Sequence, residues 1–102
     1  MAKYVLVYSG GTGGSMDGPP DPEVMAAWGA WYGALGSSVV DGGAPFGASA
    51  RVGGGDALGL TGYTIIDAAD LQAAQTSAKG CPVLNDGGTV DVFEAIDMSG
   101  GA

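Results

Sequence analysis

The chain has 102 residues, with 11 Asp and Glu against 3 Lys and Arg, no His and a formal net charge of −8, which fits one small domain around one core. Three cationic side chains cannot neutralise a run of phosphates and the negative surplus repels polyanions, so nucleic acid and anionic membrane are excluded as partners. The lack of His removes the commonest general base and metal ligand, and with them most hydrolase and metal-site chemistry; no cofactor or metal is expected.

Residues 3–9 (KYVLVYS) form a β-branched and aromatic run that stops at Gly10-Gly11, as a strand does. Tyr4, Leu6 and Tyr8 point one way and Val5 and Val7 the other, so both faces of this strand call for cover. Residues 10–20 (GGTGGSMDGPP) are too rich in Gly and Pro for regular structure and read as a flexible connector. The glycines at 9–15 follow a strand, but neither the P-loop spacing nor G-x-G-x-x-G is completed. Asp21 as N-cap and Pro22 at the first helical position open a helix. Its apolar stripe is Val24, Trp28, Trp31 and Leu35, and Gly36 ends it. Gly29 and Gly33 lie one turn apart on that helix, each at a cost of up to about 1 kcal/mol against Ala, which predicts a close packing partner there.

Residues 38–41 are a short strand, residues 42–47 a turn-rich segment bearing Phe46, and residues 48–52 are expected to continue the pairing before a loop at 53–56. Residues 62–67 (GYTIID) are the next strand. The acidic run from Asp67 to Asp70 then opens a helix whose buried stripe is Leu71, Ala74 and Ala78. Lys79 complements its dipole, Gly80 ends it, and Cys81-Pro82 cannot continue it. A turn at 85–88 leads to an alternating strand at 89–96 with Val90, Val92 and Ile96 facing the core.

Strand, helix, strand, strand, helix, strand is the ferredoxin-like α+β pattern, with two helices on one face of a four-stranded antiparallel sheet. The helices cover one face only while the first strand is apolar on both. A homodimer through the sheet face is therefore expected, a monomer leaving Tyr4, Leu6 and Tyr8 exposed or under a loop. Cys81 is the only cysteine, the N-terminal MAKYVLVYSGG lacks the regions of a signal peptide, and no run approaches the roughly 18 apolar residues of a membrane span. The expectation is one cytoplasmic domain over residues 1–102, frayed at 99–102.

The opening K-Y-V-L-V-Y, the helix M-A-A-W-G-A-W-Y-G-A-L-G at 25–36, D-G-G-A-P-F-G at 41–47, G-Y-T-I-I-D at 62–67, A-K-G-C-P-V-L at 78–84 and the closing G-G-T-V-D-V-F-E span nearly the whole chain. In order and spacing they resemble the YCII-related proteins of the dimeric ferredoxin-like α/β-barrel superfamily. The resemblance implies a βαββαβ protomer, a dimer, and a cleft in which some members use a His and Asp pair. Some members are lyases or dehalogenating enzymes acting on hydroxylated aromatics. This chain departs from the family pattern in having no His, in placing Cys81 before Pro82 where relatives carry Asp or His, and in having GGGDALGL at 53–60 instead of the D-G-P-F-x-E loop.

The candidate catalytic positions are Asp41 and Cys81. A carboxyl in an apolar cleft has a raised pKa and can move protons without His, whereas Asp41 before glycine also reads as a turn residue. Cys81 in the cleft would stand in for the family acid, and buried it would be an inert thiol. Tyr8, Tyr32, Asp41, Phe46 and Tyr63 are the candidate ligand-binding residues, since apolar walls with few hydroxyls suit a small planar molecule. The same residue types build dimer interfaces. Two functions follow: a dimer that binds a small metabolite or protein partner, or a metal-free lyase or isomerase acting on a small hydroxylated aromatic.

Overall fold

In the computed structural model of the protein, residues 2–10, 22–56 and 58–96 are described. The expected Asp21 cap, the glycine-rich connector at 11–20, the tail at 99–102 and the side chain of Asp86 lie outside them. The elements are β1 (Ala2–Ser9), α1 (Pro22–Leu35), a 3-10 turn (Gly36–Ser38), β2 (Val39–Asp41), β3 (Leu60–Ala68), α2 (Leu71–Ala78), a second 3-10 turn (Pro82–Asp86) and β4 (Thr89–Glu94). The sheet order is β2-β3-β1-β4 with every neighbouring pair antiparallel. The protein is α+β, compatible with a ferredoxin-like fold.

Alternation along β1 and β3 drives the packing. Tyr4, Leu6 and Tyr8 on β1 and Thr64, Ile66 and Ala68 on β3 are buried on one face, where Trp31 of α1 and Ala74 and Ala78 of α2 meet them. Small alanines let α2 lie close to the sheet, while α1 stands further off and fills the gap with indoles. Trp31 Nε1 donates to the Ser77 carbonyl at 3.0 Å, joining the two helices and satisfying a buried indole N–H. Gly80 makes room for that ring, since a Cβ there would stand 3.2 Å from Trp31 Cδ1. Asp70 caps α2 by accepting from the Ala73 N–H at 2.8 Å, whereas Asp67 belongs to β3.

Four expectations are corrected. Tyr4, Leu6 and Tyr8 are the residues under the helices, so the open sheet face is the one carrying Val5, Val7 and Ile65, all half-buried, and Phe93, 57% exposed. Among the described residues nothing packs on Gly29 or Gly33, and a Cβ at either would meet no atom within 4 Å. Pairing along β3 continues at Pro45, bridged to Gly62, and not at 48–52, where Val52 is 93% exposed. The Phe46 N–H donates to the Thr61 carbonyl at 2.9 Å and takes that stretch of the β3 edge. Ile96 lies beyond the end of β4 and is 67% exposed, while Val90 and Val92 do pack on the core.

Candidate functional site

A cleft of about 600 Å³ opens between the first three turns of α1 and the connection that follows β2. It is of the size that accommodates a small molecule. From α1 come Val24, Met25, Trp28, Gly29 and Tyr32, and from the connection Gly42 to Phe46. Tyr8, Gly10, Thr61, Gly62, Tyr63 and Val83 complete the lining. Helical spacing puts Met25, Trp28, Gly29 and Tyr32 on one side of α1, and the absent side chain of Gly29 keeps the space open. Tyr8, Trp28, Trp31 and Tyr32 form a ring cluster, with Tyr8 edge-on to Trp28 at 5.3 Å and Trp31 against Tyr32 at 5.2 Å.

Beside this cluster three hydroxyls and one carbonyl are linked. Tyr8 donates to Thr64 Oγ1 at 2.6 Å, and Thr64 donates to the Gly42 carbonyl at 3.2 Å. Tyr32 donates to the same carbonyl at 3.0 Å and also lies 3.0 Å from Thr64 Oγ1. A carbonyl oxygen has two lone pairs, so Gly42 accepts both bonds and each hydroxyl proton has a partner. Burial, chiefly, pushes the Tyr8 phenol far above its ordinary range, and Thr64 opposes that only in part. Tyr8 therefore stays protonated through the physiological range.

Asp41 is an exposed turn anchor. Its Oδ1 accepts from the Gly43 N–H at 2.8 Å and its Oδ2 lies 3.3 Å from the Tyr63 hydroxyl. That carboxylate, first of all, raises the Tyr63 pKa. Gly43 has a φ of +73°, and a Cβ there would collide with the Tyr63 carbonyl, so the turn that shapes the cleft requires glycine. Phe46 stacks on Tyr63 with ring centroids 5.8 Å apart and an interplanar angle of 27°.

Cys81 is 1% exposed and does not line the cleft. Burial raises its thiol, and the nearby Val83 N–H and Tyr8 hydroxyl offset this only partly. The structure thus gathers Tyr8, Tyr32, Phe46 and Tyr63 along one cleft, leaves Asp41 at a turn beside it, and holds Cys81 in the core. Sequence reasoning missed Trp28 and Thr64. Trp28 reads as core from its stripe, yet it is half-buried and faces the opening that its neighbour Gly29 leaves. Among the described residues no group of three or more His, Cys, Asp or Glu could hold a metal ion, and no helix is long and apolar enough to cross a membrane. The chain matches no protein-family model, no curated protein and no solved structure.

Proposed function

We propose that the chain is a small dimeric YCII-like protein that binds a small ring-bearing metabolite in the cleft between α1 and the connection after β2. The observation that carries this reading is the roughly 600 Å³ apolar opening, lined by Tyr8, Trp28 and Tyr32 and backed by linked hydroxyls. Apolar walls with a few fixed polar groups are what a small-molecule site needs. The order of the family-like segments supports the same reading. The dimer uses the open sheet face, where Val5, Val7, Ile65 and Phe93 meet their counterparts in a second copy and the two sheets close a barrel.

A second reading, a metal-free lyase or isomerase, is favoured by one feature. The Tyr32 hydroxyl stands at the cleft, hydrogen-bonded to Thr64 and the Gly42 carbonyl, where a phenol can serve a proton transfer without a metal.

A thermal-shift screen against phenols, catechols, lactones, keto acids and acyl metabolites tests the first reading. A ligand at about 100 times its Kd adds roughly 2.7 kcal/mol, several degrees in Tm for a domain of this size. A shift selective for one ring-bearing class supports binding, and turnover of that class establishes the second reading. A flat screen across all five classes overturns both.

A further inference from the structure

We infer that the cleft selects flat ligands that are uncharged or cationic and carry a hydroxyl or N–H donor, and rejects carboxylates of the same shape; this rests on the binding reading above. Three observations converge on it. The first is the charge inventory. The chain has 3 Lys and Arg in all, and none lines the cleft. Lys3 is exposed near the start of β1, Lys79 is exposed past the end of α2, and Arg51 is exposed with its Nε donating to the Gly54 carbonyl at 3.1 Å. A carboxylate entering the cleft gives up hydration without gaining a countercharge. The formal net charge of −8 also lowers its local concentration.

The second is the proton count at the hydroxyl cluster. Tyr8 spends its single proton on Thr64, Thr64 on Gly42, and Tyr32 on Gly42 or Thr64. The Tyr8 oxygen is turned to Thr64 in the core, and the Tyr32 oxygen at the cleft has for a ligand no proton but lone pairs. A ligand meets them by donating. The Gly43 N–H, which could otherwise have served an anion, is taken by Asp41 Oδ1 at 2.8 Å. The third is the aromatic lining from Trp28, Tyr8 and Tyr32, whose ring faces attract a flat apolar body and tolerate a cation far better than an anion.

The test is a matched set sharing one ring: p-cresol (neutral donor), tyramine (cationic donor), p-hydroxyphenylacetate (anionic donor) and p-methylanisole (neutral, donor removed). Affinities are measured by calorimetry on the full chain and on Gly29→Leu. That substitution places a side chain into open space on the cleft wall without displacing an atom within 4 Å of its Cβ. Expected are p-cresol and tyramine bound roughly ten-fold or more tighter than p-hydroxyphenylacetate and several-fold tighter than p-methylanisole. In Gly29→Leu, binding is lost while Tm is held or raised. Binding of the acid or the ether as tight as that of p-cresol, still lost in Gly29→Leu, overturns the selectivity and leaves the cleft reading standing. No binding by any of the four, or binding that Gly29→Leu does not change, overturns both.

Discussion

Tyr8 lies across Gly62, its partner on β3: a Cβ at Gly62 would stand 3.3 Å from Tyr8 Cδ2. The missing side chain lets the tyrosine ring lean along the strand pair, so that its hydroxyl reaches Thr64 at 2.6 Å and not solvent. One glycine on the sheet thus sets both the floor of the cleft and the start of the hydroxyl chain.

The two ends of that bond are not equivalent. Thr64→Val leaves the buried Tyr8 phenol without an acceptor and is expected to cost about 1–3 kcal/mol. Tyr8→Phe removes a donor from a threonine that still has Tyr32 beside it, and is expected to cost about 0.5–1.5 kcal/mol. The double variant should cost less than the sum, which denaturant midpoints on the four proteins of the cycle will show. Additive costs would mean that the bond contributes nothing to the fold.

Glycines at two places should respond with opposite sign. Gly43→Ala forces a Cβ into the Tyr63 carbonyl at a φ of +73° and is expected to lower stability by at least about 2 kcal/mol while distorting the cleft. Gly33→Ala meets open space inside a helix and is expected to raise stability by up to about 1 kcal/mol. Thermal denaturation of both distinguishes a required backbone conformation from a merely permitted one.

Alkaline pH should destabilise the fold. The Cys81 and Tyr8 pKa values are raised in the folded state from ordinary values of 9.0 and 10.0, both chiefly by burial. A raised acid holds its proton longer when folded, so its contribution is complete below the unfolded pKa and is lost as pH climbs towards the folded one. Tm should hold to about pH 8, then fall first with the thiol and more steeply above pH 10 with the phenol. In Tyr8→Phe the steeper limb should soften. Below pH 8 a thiol reagent should label Cys81 only as fast as the protein opens, and immediate labelling would contradict its burial.

The proposed dimer rests on the open sheet face. Val7→Lys puts a charge on the face away from the core, opposite Tyr63 on one side and Asp91 on the other. Light scattering is expected to give the mass of two chains for the native protein and of one for the variant, with Tm reduced only by the loss of the partner. A native mass of one chain would remove the dimer from the proposal.

Much of the fold was legible because its signals are local. β-Branched and aromatic runs marked β1 and β3, period-two alternation marked β4, the Trp stripe marked α1, and Asp70 and Gly36 punctuate helices as such residues do. The errors came where a tertiary choice decided between equal local options. Both faces of β1 are apolar, and only packing reveals that the Tyr4, Leu6 and Tyr8 face takes the helices. Residues 48–52 alternate as well as Pro45-Phe46, yet the turn at Gly43 brings the latter to the β3 edge. The glycines of α1 signalled close approach, and the structure leaves them open, one of them on the cleft. Of the candidate site, the tyrosines were visible as residue types, but the Thr64 link depends on cross-strand register, which no spacing along the chain encodes.

The strand order has a kinetic consequence. β1 precedes the other three strands of the sheet in the chain, lies inside the sheet and pairs with β3 and β4, so Tyr8 finds its hydrogen-bond partner 56 residues later. No tight hairpin links any two neighbours, because even β2 and β3 are separated by the stretch from 42 to 59. Closing such distant pairs costs loop entropy before any contact repays it, which favours slow, late and concerted folding. During synthesis the Tyr4, Leu6 and Tyr8 face waits uncovered until the residues of α2 have left the ribosome, and exposed apolar surface of that kind is what favours aggregation.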